Sequence, residues 1–234
     1  MTLFGSLFPI ACWLAYNFAV PLVERTRPSL SVIMSLQRRR WVANATRRES
    51  PLDAILSANL MQSVSLLAST SMLIVLAIFA GFGAVPQLMD TLNSLGLGHE
   101  VTPQAMQVQL LVLVTIFASS FFAFTLSLRQ FNHFCIMIGA IVHDQPSTEE
   151  EIDAIAMLNS LAAKNFNNGI RAYYFAVPAV SWFVSPLLAI TATEAEMRWA
   201  ELKNSRWTMN SVVITVTAIA SSGETNQDTA GTAK

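Results

Sequence analysis

The chain carries four long apolar runs separated by polar stretches. Each run is long enough to cross a bilayer as a helix, which takes about 20 residues. The first run lacks the basic stretch of a cleavable signal peptide, and we interpret it as a retained span. The pattern predicts an all-α, polytopic membrane protein, a four-transmembrane-helix bundle formed by residues 1–193. The predicted spans are about residues 3–23, 63–88, 107–128 and 172–193.

Composition favours the same class. Hydrophobic residues make up 53% of the 234 residues and charged residues 12%, whereas soluble domains carry about 25% charged residues. The net charge of −1 indicates little by itself, and the distribution of charge along the chain is more informative. The two cysteines, Cys12 and Cys135, fall in different predicted environments, so we expect no disulfide between them.

Arginines concentrate between the first and second runs, whereas residues 89–106 contain no Lys or Arg. Basic loops stay on the cytoplasmic side of a membrane. We therefore predict a multi-pass protein of the bacterial inner (cytoplasmic) membrane with its N-terminus outside. The arginines of this loop are Arg25, Arg27, Arg38, Arg39, Arg40, Arg47 and Arg48.

Two short amphipathic helices are predicted on the cytoplasmic side. In residues 146–166, Ser147 caps the helix and Glu150 completes a capping box. Residues 29–46 mix apolar side chains with arginines, which indicates either a helix on an anionic membrane surface or an ordinary basic loop. The apolar side chains are Val32, Leu36 and Trp41.

The chain changes character after residue 193. Residues 194–222 join a charged helical stretch to a β-branched run that is too short to span a bilayer as a helix. Residues 223–234 are polar, and we predict a disordered tail. An apolar run without a place in the bundle indicates docking on a partner or on the outer membrane face. The candidate contact residues are Trp199, Trp207, Val212, Val213 and Ile214.

A group of charged residues lies at the predicted inner ends of the spans. Arg129 and His133 follow the third span, Arg171 precedes the fourth and Glu24 ends the first, so we expect them at one membrane depth. Guanidinium groups bind phosphate, and histidine can change charge near neutral pH, which indicates a site for an anionic headgroup. The alternative is structural, with the arginines pairing to Glu24, Asp144 and helix-terminal carbonyls.

Motifs of known catalytic chemistry are missing from the sequence. It has no GxSxG, no phosphate-binding loop, no dinucleotide fingerprint and no HExxH. Of the residues that could ligate a metal, His133, Cys135 and His143 would point in different directions on one helix. We therefore predict no enzymatic activity, no cofactor and no metal site.

Four motifs follow one another along the chain: SLQRRRW, SANLMQSVSLLASTSMLI, FAFTLSLRQFNHFCIMIG and GIRAYYFAVPAVSWFVSP. In order and spacing they resemble the membrane proteins of domain-of-unknown-function family 599, over about residues 5–190. Ser185-Pro186 stands where we expect Gly-Pro in the family, so the bend there differs. The resemblance implies a four-span membrane protein and supplies no established activity.

These observations together favour a protein that acts through contacts. We predict an accessory or structural subunit, or a scaffold, of a larger membrane complex. The alternatives are a small-molecule or ion transporter or channel that acts as an oligomer, and an anionic-lipid-binding membrane protein. The expected partners are other membrane-protein subunits and membrane lipids, with anionic headgroups or cardiolipin at the cytoplasmic side, and no nucleic acid.

Overall fold

The computed structural model describes residues 11–15, 30–48, 51–96, 101–142, 146–183, 188, 190–195 and 198. Within these ranges the regular structure is helical and contains no strand, as the sequence predicts. Two of the helices are long and apolar enough to cross a membrane. The helices with complete bounds are α1 Leu30–Ala45, α2 Pro51–Gly83, α3 Val85–Ser94, α4 Pro103–Gly139 and α5 Glu149–Ser181.

The two candidate spans are α2 and α4, with 33 and 37 residues. At 1.5 Å per residue they are about 50 and 56 Å long, against about 30 Å for the hydrocarbon core. Only 22% of the most apolar stretch of α2 is buried, and 44% of that of α4. A helix in the core of a soluble protein would be mostly buried, whereas Leu66, Leu73 and Phe79 of α2 are exposed. This exposure favours contact with lipid.

The second predicted span, residues 63–88, differs from the helix that forms. The helix begins earlier, at Pro51, and ends at Gly83. Pro86 explains the end, because proline has no N–H and its ring clashes with the carbonyl four residues before it. The chain turns at Ala84 and starts again as α3, where proline in the first turn is tolerated.

The predicted cytoplasmic helix and the start of the predicted fourth span are one continuous helix, α5. Its cap is Thr148, whose Oγ1 accepts from the N–H of Glu151 at 3.2 Å, so the predicted capping box of Ser147 and Glu150 is one residue early. α5 ends at Ser181 rather than at Thr193. The four-span count stays a prediction, because most of the first predicted span lies outside the described residues.

The central helix is α4, which packs against α2 on one side and α5 on the other. It runs antiparallel to α2, since Cys135 lies beside Met61 at one end and Leu110 beside Gly81 at the other. The core of the bundle is mainly apolar. Its fully buried side chains include Met106, Ile116, Phe124 and Phe134.

Candidate functional site at the arginine-rich end of the bundle

Hydrogen bonds between α4 and α5 fix how the two helices are aligned. Ser120 Oγ donates to the carbonyl of Gly169 at 3.0 Å, and Ser127 Oγ donates to that of Ala162 at 2.8 Å. The partners are seven residues apart on both helices, so the pair is antiparallel. Further along, Gln109 Nε2 donates to the carbonyl of Ala179. α5 from Ala162 to Ala179 therefore lies beside α4 from Gln109 to Ser127.

Small residues let neighbouring helices approach closely in a membrane, and Ser71 and Ser120 are among the small residues of the two candidate spans. In the structure, Ser120 bonds α5 instead of α2, and Ser71 of α2 lies 3.0 Å from the Tyr173 hydroxyl of α5. The buried hydroxyls therefore join α5 to both neighbours.

α4 and α5 approach each other closely at Gly169. A Cβ atom at this position would lie 2.5 Å from Cε1 of Phe124. Phe124 is fully buried, with ring centroids 5.8 Å from Phe166 and 6.0 Å from Tyr173. The helices approach this closely because residue 169 has no side chain.

The arginine-rich end is the end of the bundle at which α1, with Arg38 to Arg40, meets the start of α5. Arg39 forms ion pairs with Glu149 and Asp153 in the first turns of α5. Hydrogen bonding to Asp153 and then to Glu149 raises the pKa of the Arg39 guanidinium above its usual value. These contacts dock α1 on α5.

A buried carboxylate ties α1 to α2 at the same end. Asp53 has a side chain only 6% exposed, and its Oδ1 accepts from Trp41 Nε1 at 2.6 Å and from Arg48 at 3.1 Å. The Trp41 ring also lies 5.5 Å from that of Phe134 on α4. Trp41 therefore faces the protein. Leu36 is exposed, and the Val32 side chain lies outside the description.

Arg129 and His133 lie on the side of α4 that faces away from α2 and α5, and both are exposed. On the same side, one and two turns earlier, Leu126 and Phe122 are also exposed. Arg129 is the first charged residue of α4, since none occurs from Pro103 to Leu128. The pair therefore sits where the charge-free part of the helix ends.

Arg171 does not lie at the depth of Arg129. Continuing the hydrogen-bonded alignment places Arg171 level with Ala118, eleven residues before Arg129 and about 16 Å away along the axis. The expected common depth assumed a fourth span beginning near residue 172, whereas α5 begins at Glu149. Headgroup binding by Arg129 and His133 stays a prediction.

Several predicted site residues lie outside the described part of the chain. Glu24 and Asp144 are among them, so their pairing with the arginines stays a prediction. The candidate partner-contact residues of the C-terminal extension also lie outside the described residues. They are Trp199, Trp207, Val212, Val213 and Ile214.

The sequence analysis does not predict the contacts of Asp53, although the sequence contains a feature that points to them. Asp53 is the only charged residue between Pro51 and Met89, and a lone acid at the start of an apolar helix needs a partner when it is buried. Trp41 and Arg48 supply it. Within the described ranges, no three His, Cys, Asp or Glu side chains come together to hold a metal.

The described part of the chain is therefore helical, with two helices long and apolar enough to cross a membrane and a charged end at which α1 contacts α5. The chain belongs to a family described as protein of unknown function, DUF599, whose model matches residues 5–197. No curated protein and no solved structure matches the chain.

Proposed function

We propose that the protein is a membrane scaffold, an accessory subunit of a larger membrane assembly. One observation carries the proposal: the helices continue beyond their charge-free lengths into a braced platform. The platform consists of α1 with the adjoining ends of α2, α4 and α5. Arg39, Trp41 and Asp53 brace it through contacts between helices. A rigid surface outside the lipid is suited to binding another protein, because its side chains and backbone lose little conformational entropy when the complex forms.

The surface of the platform combines two kinds of side chain. Leu36, Ile136 and Met157 are 56%, 68% and 69% exposed. Arg40 and Arg47 are also exposed at this end of the bundle, and Arg40 is four residues after Leu36 on α1. Protein interfaces bury apolar side chains within a polar rim, and arginine is enriched there. This combination supports contact with a protein partner.

Native purification tests the proposal. The full-length protein, tagged at its natural expression level, is extracted in mild detergent, and chains that co-migrate with it are identified. We expect a complex larger than the single chain, and Met157→Glu should reduce the co-migrating chains. Leu66→Ala, on the lipid side of α2, is the matched control and should retain them. A wild-type protein that migrates alone overturns the proposal.

The C-terminal extension is a second candidate for the partner contact. A chain ending at Ala192 should still enter the membrane and should lose partners that bind through residues 194–222. If it keeps all of them, the extension is not the contact, and the platform remains the site to test.

Anionic-lipid binding is a second candidate function, favoured by the position of Arg129 and His133. They follow the exposed Phe122 and Leu126 on one side of α4, where a lipid-facing surface reaches the headgroups. In nanodiscs, wild-type protein should gain thermal stability from anionic over zwitterionic lipid. Arg129→Gln should lose that gain, and Asn132→Ala should keep it. An equal gain in wild type and Arg129→Gln counts against the lipid site.

A further inference from the structure

α5 carries polar and charged residues at a depth where its neighbours carry no charge. Between Ala162 and Ala179 it lies beside α4 from Gln109 to Ser127, which contains no charged residue. We use the name α5 polar stripe for four residues of this stretch: Lys164, Asn167, Asn168 and Arg171.

The stripe lies on the side of α5 opposite α4. Ala162 and Gly169 face α4, because their carbonyls accept from its serines. Lys164, Asn167 and Arg171 follow one another at spacings of three and four residues, which places them on one line of the helix, away from that contact. Lys164 and Asn167 are exposed, and Asn168 and Arg171 are half-buried.

Contact with lipid is unfavourable for Lys164, Asn167 and Arg171, because they lie beside the charge-free part of α4. The helix alignment puts Lys164 level with Thr125, four residues or about 6 Å inside Arg129. Arg171 lies a further seven residues in, about 10 Å deeper. Lysine can extend its stem toward the headgroups, whereas the short side chain of Asn167 cannot. Ionisable and amide groups within a membrane usually face a protein partner or a water-filled cavity.

The chemistry of the stripe selects the partner. The lysine and arginine groups donate hydrogen bonds and accept none, and each asparagine supplies two donors. A carboxylate provides the complementary acceptors and charge. We propose that the α5 polar stripe docks a membrane-spanning helix of another subunit that carries Asp or Glu at the depth of Lys164 and Asn167. The proposal rests on the scaffold function proposed above. It relies on Lys164 and Asn167, since Arg171 has contacts within the chain.

Photo-crosslinking from the stripe tests this in intact membranes. Full-length protein with p-benzoylphenylalanine at position 167 is irradiated, and the adduct is sequenced. We expect an adduct to a spanning helix of a different protein with Asp or Glu within one turn of the crosslink. An adduct to lipid alone, or to this chain itself, overturns the proposal. Position 66, on the lipid-facing side of α2, is the control and should give no such protein adduct.

Charge reversal supplies the second arm. Lys164→Glu should lower the yield of the crosslinked partner at least tenfold, and replacing the partner's acid by Lys should restore it. Asp90→Lys, a charge reversal at an exposed position of α3 outside both the platform and the stripe, should leave the yield unchanged. If Lys164→Glu keeps the partner, the stripe is not the docking site, while the scaffold function stands. If the wild-type protein has no partner, both fail. If Lys164→Glu unfolds the protein in detergent without any partner present, this chain itself fills the stripe and the proposal fails.

Discussion

Replacing Gly169 by alanine tests the close contact between α4 and α5. The new Cβ would lie 2.5 Å from Cε1 of Phe124 and 2.8 Å from Cδ1 and Cζ, whereas carbon atoms pack best at about 3.5–4.0 Å. The ring must therefore move by about 1 Å to restore that contact distance. It has little room, because Phe166 and Tyr173 pack against it.

The magnitude follows from two opposing terms. Overpacking a filled core costs about 1–3 kcal/mol, and separating the helices weakens the bond from Ser120 to the Gly169 carbonyl, worth about 1 kcal/mol. Alanine returns at most about 1 kcal/mol through its better helix propensity. We expect Gly169→Ala to lower the free energy of unfolding by about 1–3 kcal/mol, taking the terms together.

The assay is unfolding in mixed micelles by titration with a denaturing detergent, followed by tryptophan fluorescence. Gly81→Ala is the matched control, because its Cβ would meet Leu110 and Leu88 at ordinary distances of 3.8–3.9 Å. It should be neutral or slightly stabilising. Phe124→Leu should reduce the cost of Gly169→Ala in a double-mutant cycle. Equal stability of the Gly169→Ala and Gly81→Ala variants would refute the close-contact reasoning.

Three further predictions concern the platform and its side of the membrane. Trp41→Phe removes one hydrogen bond to the buried carboxylate of Asp53, and detergent unfolding should show a loss of about 1.5–3 kcal/mol; an unchanged midpoint contradicts it. Arg39→Ala breaks exposed ion pairs, so its small loss of stability should shrink further in 1 M salt, and a salt-independent loss would point to packing instead. In a background without the native cysteines, Gln37→Cys should react with an impermeant thiol reagent only in opened cells and Ser94→Cys in intact cells, and the reverse pattern overturns the orientation.

The hydrophobic pattern predicts which segments form long apolar helices better than it predicts where those helices begin and end. The second apolar run starts near residue 63, yet α2 begins at Pro51, because the first turns carry Asp53 and other polar residues without breaking the helix. The same cause hides the continuity of α5. Its polar stretch around Asn167 separates two apolar patterns in the sequence, although no residue there ends a helix.

The contacts between residues of the site are harder to predict from the sequence than the helices are. The position of Arg171 relative to Arg129 depends on the alignment of α4 with α5, which the bonds of Ser120 and Ser127 fix. Several other serines occur in the apolar runs, and composition does not distinguish those that bond a neighbouring helix. Ser119, beside Ser120, donates to the carbonyl of Thr115 in its own helix. Which serine bonds a neighbouring helix depends on the tertiary packing.

The unequal polarity of α4 and α5 has a consequence for biogenesis. If α5 crosses the membrane beside α4, as the sequence predicts, Arg171 lies well inside the span, where a lysine or arginine raises the cost of insertion by about 2.5–3.5 kcal/mol. Such a helix is a poor substrate for independent release from the translocon. α4 has no such charge before Arg129 and is synthesised before α5. Until α5 is made, the hydroxyls of Ser120 and Ser127 lack the α5 carbonyls to which they donate. The two helices should therefore enter the bilayer as a hairpin, and a ribosome stalled before α5 is complete should hold α4 beside the translocon.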